Sequence, residues 1–222
     1  MSQIAVIGAG RVGTAVARTA MRAGHEVSLV GSAPLEDTRF IASVVAPGAV
    51  VRHPAEAVSW AEITILAIPL HKYRTVSAPD FAGRIVVDAM NYWPPVNGVL
   101  PEFEGVPSST VIARFLAGAQ MVKTLNHIGY HELESDGRPS EHPDRRALAL
   151  AGDHWDASAV VADFIDSLGY DPVVFEPLDA SAVLEPGSDI FSGTLDAAQM
   201  REELVRSDIH LATTNDRTPS WS

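Results

Sequence analysis

An α/β fold is predicted, a doubly wound and mostly parallel sheet with a small C-terminal α/β extension. Three observations predict it. Short apolar runs rich in β-branched residues recur at 3–7, 27–30, 49–51, 62–69, 84–90 and 121–125. Segments with apolar residues at helical spacing lie between them, and strands that alternate with helices build parallel sheets. The run at 62–69 (Glu-Ile-Thr-Ile-Leu-Ala-Ile-Pro) reads as a strand buried on both faces, as a central parallel strand must be.

The first thirty residues organise the rest. Gln3 to Ile7 reads as a buried strand and runs straight into Gly8-Ala9-Gly10-Arg11-Val12-Gly13. Val12, Val16, Thr19, Ala20 and Ala23 then share one helical face, Gly24 stops the helix, and residues 27–30 return as a strand. Glycines spaced G-x-G-x-x-G between a strand and a helix are the fingerprint of a Rossmann-type dinucleotide site. Gly8 permits the tight turn, Gly10 lets the pyrophosphate approach the backbone, and Gly13 lets helix and strand pack closely. The helix N-terminus presents free N–H groups and partial positive charge to the phosphates. Gly8, Ala9, Gly10, Arg11, Val12 and Gly13 are therefore the expected phosphate cradle.

Which dinucleotide binds is read from the end of the second strand, where an NAD site carries Asp or Glu for the ribose hydroxyls. This strand ends Leu29-Val30-Gly31-Ser32-Ala33-Pro34, with no acid, and Glu36 and Asp37 fall in the next turn. Ser32 can bond a 2′-phosphate, and Arg11 or Arg39 can add positive charge. NADP is expected over NAD, with NAD possible. The bland alternative is that both arginines are solvated surface residues.

Composition narrows the rest. The chain has 222 residues, 46% hydrophobic and 20% charged, enough for a full core. A net charge of −12 argues against nucleic acid or an acidic membrane as the main partner. The absence of cysteine excludes disulfides, thiol catalysis and thiolate metal sites. No signal-peptide pattern opens the chain and no apolar stretch approaches the ~20 residues of a membrane helix, so a cytoplasmic protein is expected.

Beyond residue 45 the expected elements are a short helix at 54–60, a long proline-rich loop at 94–107, and a helix carrying Val111, Ile112, Phe115 and Leu116. A loop of that length is commonly a functional lid. Residues 132–146 read as a polar connection. After it come a strand at 147–151, a helix with Ala157, Val160, Val161, Phe164, Ile165 and Leu168, and a strand at 172–175. Helices near 178–184 and 195–205 follow. The expected divisions are a dinucleotide domain at 1–131, an extension of the same sheet at 147–212, and a frayed tail at 213–222.

In an open parallel sheet, ligands lie beyond the carboxyl ends of the strands, where strand order reverses. Ala67, Ile68 and Pro69 are expected to wall the nicotinamide, and Asn91 to hold its polar edge. Asn126, His127, Asn91 and Tyr92 are expected to position the second substrate, with Tyr92 and Trp93 offering flat apolar surface. His127 and His131 are four apart, a helical metal spacing. Gly129 between them and the lack of a third ligand weigh against a metal, and none is expected. Nothing reads as an acid–base pair or a lysine in an apolar setting.

These segments together resemble the NADPH-dependent deazaflavin reductases, the NADP oxidoreductases that depend on coenzyme F-420. The residues that carry the resemblance are Gly-Ala-Gly-Arg-Val-Gly at 8–13, Val-Gly-Ser at 30–32, Leu-Ala-Ile-Pro at 66–69, Val-Asp-Ala-Met-Asn at 87–91 and Val-Lys-Thr-Leu-Asn-His-Ile-Gly at 122–129. Ala-Gly-Asp at 151–153 and Leu-Gly-Tyr-Asp-Pro-Val at 168–173 extend it. The resemblance implies hydride transfer between NADP(H) and the deazaflavin ring with no essential protein acid or base, in what is expected to be a homodimer. It places the 2′-phosphate on Ser32 and the second ring system against Asn126 and His127. Ala33 departs from the Arg that the family commonly has there, which removes a bidentate phosphate clamp. Two other readings remain open: an imine or ketone reductase of the pyrroline-carboxylate type, and a non-catalytic dinucleotide sensor.

Overall fold

A computed structural model of the protein describes residues 1–209 and Leu211. The expected tail at 213–222 lies outside the described residues, as do residues 210 and 212 of the expected extension. In chain order the elements are β1 (Gln3–Ile7), α1 (Arg11–Arg22), β2 (Glu26–Val30), α2 (Leu35–Val45), β3 (Val50–Val51), α3 (Pro54–Trp60), β4 (Ile63–Leu66) and β5 (Ile85–Asp88). Then come α4 (Pro94–Asn97), α5 (Ser108–Phe115), β6 (Gln120–Lys123), α6 (Tyr130–Ser135), β7 (Ala147–Gly152), α7 (Trp155–Ser167), β8 (Asp171–Phe175), α8 (Asp189–Ser192) and α9 (Ala197–Arg206). Among them, no helix is long and apolar enough to cross a membrane.

All eight strands form one sheet in the order β3-β2-β1-β4-β5-β6-β7-β8. Every adjacent pair is parallel except β6 and β7. This is the mostly parallel, doubly wound Rossmann-type architecture that the strand and helix pattern predicts. Strand order reverses between β1 and β4, where chain crossovers leave on opposite faces. β7 and β8 add to the same sheet, so the C-terminal strands extend it.

The period-2 geometry of each strand divides the core into layers. On β1, Ile4 and Val6 face one cluster with Val16, Ala20 and Leu29, while Ala5 and Ile7 face another with Ala57, Leu66 and Ile112. On β7, Leu148 and Leu150 join the first layer, and Ala147, Ala149 and Ala151 pack under Met200 and Leu204 of α9.

Three segments differ from the sequence expectation. Residues 132–146 are not all connection, because α6 occupies their start. Gly129 caps this helix in extended backbone, and Arg18 and Glu134 clamp it to α1 through an ion pair of 2.5 Å. That contact between residues far apart in sequence has no local signature. Residues 178–184 form a 3-10 turn rather than an α-helix. The 94–107 loop contains α4 and a further 3-10 turn at Pro101–Phe103. The loop is pinned where Tyr92 stacks on Phe103 at 5.2 Å and the Tyr92 hydroxyl accepts from the Leu100 N–H at 2.9 Å.

Candidate dinucleotide site

The glycine turn sits at the point where strand order reverses, and two of its glycines are dictated by protein packing. Gly8 has φ +126°, and a β-carbon there would lie 2.4 Å from the Ala67 carbonyl oxygen on the β4 exit. A β-carbon on Gly13 would lie 1.9 Å from the Gly8 carbonyl oxygen. Both are far inside van der Waals contact, so neither site tolerates a side chain. Gly10 is different: a β-carbon there meets no protein atom within 4 Å. The space beside it is open to a ligand.

Gly10 also caps α1 in extended backbone, and the first turn of α1 carries no acid. The Thr14 hydroxyl donates to the Gly10 carbonyl at 2.9 Å and steadies the turn. The first N–H groups of a helix have no intrahelical acceptor and concentrate its positive dipole end. An uncovered glycine beside an acid-free helix start is a cradle that fits a pyrophosphate. Ala9 and Val12 are half-buried and Arg11 is exposed. Six residues of the expected cradle are thus contiguous in space as in sequence.

At the end of β2, Gly31 lies against Thr38 of α2, where a β-carbon would come 2.7 Å from the Thr38 hydroxyl. That hydroxyl donates to the Ala33 carbonyl at 3.1 Å, folding residues 31–34 into a tight turn with Ser32 exposed on it. The arginines expected to assist Ser32 are turned to other partners. Arg39 is ion-paired with Glu36 on α2. Arg11 lies over the Tyr130 ring, 5.9 Å from its centroid. Glu36 and Asp37 occupy the first turn of α2, the turn that follows Ser32.

On the other side of the cradle, Ala67 and Ile68 are half-buried and Pro69 is exposed. The Asn91 amide donates to the Asn126 carbonyl at 2.8 Å, and the Asn126 amide donates to the Asn91 side-chain oxygen at 2.9 Å and to the Leu184 carbonyl at 2.6 Å. Asn91 stays half-exposed while Asn126 is buried. Tyr92 faces the 94–107 loop and is half-buried by it.

His127 is buried and bonded within the protein. It is 2% exposed, its Nε2 accepts from the Ala149 N–H at 3.1 Å, and its Nδ1 lies 3.2 Å from the Asn126 side-chain oxygen. The Ala149 bond makes Nε2 the acceptor, so Nδ1 carries the proton and donates to Asn126. Burial first, then the positive charges of Arg146 and Lys123, push the imidazole down to about 3. The ring is a neutral strut between β6 and β7. Both ring nitrogens of His127, expected to position the substrate, are thus engaged within the protein through the long-range pairing of β7 with β6. His131 lies exposed on α6, beyond the Gly129 cap, so the two histidines do not share a helical face.

Three features escaped the sequence reading. Asp88 and Lys123, both fully buried, form an ion pair of 3.2 Å under Asn91. The sequence signal was a charge at the end of each of two apolar runs; the register that makes them neighbours is visible only in the structure. Tyr130 meets Arg11 beside the glycine turn. Leu184, from the C-terminal strand-and-turn region, supplies the carbonyl that fixes Asn126.

The fold and the glycine turn define the class as a Rossmann-type α/β protein whose cradle fits a dinucleotide pyrophosphate. Residues 3–92 match the family described as NADP oxidoreductase, coenzyme F420-dependent. Among solved structures, a hypothetical protein from Sinorhizobium meliloti is 28% identical, with TM-score 0.76 over 88% of this chain and 95% of that one. A protein from an Arthrobacter species, provisionally described as an F420-dependent NADP-reductase, is 26% identical, with TM-score 0.63 over 78% of this chain and 84% of that one. A 1-pyrroline-5-carboxylate reductase from Streptococcus pyogenes shares the fold at 18% identity and TM-score 0.56, over 83% of this chain and 62% of that one. No curated protein sequence matches the chain.

Proposed function

We propose that this protein transfers hydride between NADP(H) and a planar ring cofactor, the deazaflavin coenzyme F-420. The observation that carries the dinucleotide half is the open space at Gly10 beside the uncovered N-terminus of α1. The nicotinamide supplies the hydride when bound. Gly8, Gly10 and Gly13 hold the pyrophosphate, Ser32 receives the ribose end, and Ala67, Ile68 and Pro69 wall the ring. Asn91, held by Asn126, presents a half-exposed amide at the same rim. Catalysis is then mainly positioning of two rings face to face.

The deazaflavin assignment follows the family match over residues 3–92 and the likeness to the Arthrobacter protein. The state of His127 agrees with it. A neutral, buried imidazole that accepts a main-chain N–H cannot deliver a proton to a substrate. Reduction of an imine or ketone also consumes a proton, and His127 is not placed to supply it, so that reading would need another donor or water. The test is anaerobic mixing with NADPH and oxidised deazaflavin. Bleaching of the deazaflavin absorbance at a rate proportional to enzyme supports the assignment, and turnover of a cyclic imine with an inert deazaflavin removes it.

A further inference from the structure

We propose that the buried Asp88–Lys123 pair is a positioning device that orients Asn91 toward the nicotinamide end of the dinucleotide. The inference rests on the dinucleotide reading above and adds residues that reading does not use.

The pair holds one residue, Met90, through the two peptide groups that flank it. The Lys123 ammonium donates to the Asp88 carboxylate at 3.2 Å, to the Met90 carbonyl, and to the Ser108 hydroxyl at 3.5 Å. Asp88 in turn accepts from the Met90 N–H at 2.9 Å and from the Ser109 hydroxyl at 2.5 Å. Both main-chain polar groups of Met90 are therefore bound by this pair. β5 ends at Asp88, and the Ala89 N–H still reaches the Leu66 carbonyl of β4 at 3.1 Å. One residue further on, the ion pair does what a neighbouring strand would otherwise do. Asn91 follows directly, so its direction is set by a peptide that cannot turn.

The second half of the frame hangs from the same pair. Asn126 lies three residues beyond Lys123 on the β6 exit, and it exchanges hydrogen bonds with Asn91. Asn91 and Asn126 thus each lie three residues beyond one partner of the ion pair, and Asn91 also follows the residue that the pair binds directly. The mutual attraction of the two charges is by itself a weak reason for them; their bonds to Met90 and Ser109 are the stronger one. A buried ion pair replaced by apolar residues of similar volume is often as stable or more so, because desolvation offsets the attraction. An apolar pair would fill the space and leave Met90 and Asn91 without a fixed orientation.

The test uses the full chain carrying Asp88→Asn together with Lys123→Met, which removes both charges and keeps the volume. Titration calorimetry compares NADPH with ADP-ribose 2′-phosphate, the same molecule without its nicotinamide. The expected result is about tenfold weaker NADPH binding with fragment binding within about twofold. Asn91→Ala is expected to show the same selective loss, and its combination with the double variant no further loss, since directly coupled sites are not additive. Should the double variant fail to fold cooperatively, Ser109→Ala, which removes one bond to Asp88, is expected to give the same selectivity at about threefold. Equal losses for both ligands, or none for either, overturn the positioning role. A wild-type protein that binds neither ligand overturns the dinucleotide reading instead, a result distinct from both.

Discussion

Asn91 and Asn126 bind each other reciprocally, the Asn91 amide to the Asn126 carbonyl at 2.8 Å and the Asn126 amide to the Asn91 side-chain oxygen at 2.9 Å. The Asn126 amide has a second acceptor in the Leu184 carbonyl. This joins the exits of β5 and β6 to a turn some sixty residues later, and it fixes which way each amide points. Asn126→Asp keeps the shape but sets a carboxylate against two oxygen acceptors. The buried charge keeps the His127 N–H but faces two carbonyl oxygens, and is expected to cost on the order of 3 kcal/mol at neutral pH. Protonation supplies one donor, so part of the loss returns as pH falls below about 5. Urea unfolding of the variant at pH 7 and pH 5 measures both effects. A variant as stable as wild type at pH 7 would deny the network.

The two kinds of glycine in the turn separate ligand from fold. Gly10→Val is expected to leave the thermal midpoint near that of wild type, because its side chain meets no protein atom near the β-carbon. Dinucleotide affinity should fall by about 100-fold or more through collision with the pyrophosphate. Gly13→Ala should do the reverse first: a β-carbon 1.9 Å from the Gly8 carbonyl must push α1 off β1. Overpacking of that kind costs about 1–3 kcal/mol or more. Calorimetry and thermal unfolding of the two variants check the contrast, and unchanged affinity in Gly10→Val would reduce the turn to structure.

Ser32 stands on an exposed turn with Ala33 beside it and with Arg39 paired to Glu36. A modest preference for NADP over NAD is expected, without a guanidinium fork at the 2′-phosphate. Ala33→Arg should raise NADP affinity by about tenfold and leave NAD affinity within about twofold, as a charge-assisted pair is worth about 1.5–3 kcal/mol before its ordering is counted. Equal change for both dinucleotides would place the 2′-phosphate elsewhere.

His127 makes acid stability its own measurement. Its folded value is held near 3, below the ordinary 6.5, by burial and by the Arg146 and Lys123 charges. The unfolded chain therefore binds a proton that the folded chain refuses between those values. Its contribution is fully present above about pH 6.5 and is lost as pH falls toward 3, by up to about 1.4 kcal/mol per pH unit. His25, lowered chiefly by burial, adds to the same trend. His127→Gln should be less stable than wild type at pH 7, yet its denaturation midpoint should fall less between pH 6.5 and 4.5. Parallel pH profiles would show that the imidazole is not the group responsible.

Much of the site was legible in the sequence because its physics is local. A tight turn, a close approach and a helix start each need a glycine at one spacing, so Gly8, Gly10 and Gly13 announce themselves within six residues. Buried parallel strands need continuous apolar runs, and β1, β2, β4, β5 and β6 show them. The C-terminal strands could likewise be read from their apolar runs, as could α7 from its stripe. What the tertiary structure decided is which groups meet across the sheet. The role of His127 depends on β7 lying beside the β6 exit, and the same is true of Asn126 and the Leu184 carbonyl. Asp88 and Lys123 are 35 positions apart, and only their register as neighbours on β5 and β6 turns two isolated charges into one buried pair. Local pattern fixes what a segment can become; the partners of a polar group are chosen by chain segments that its own sequence does not contain.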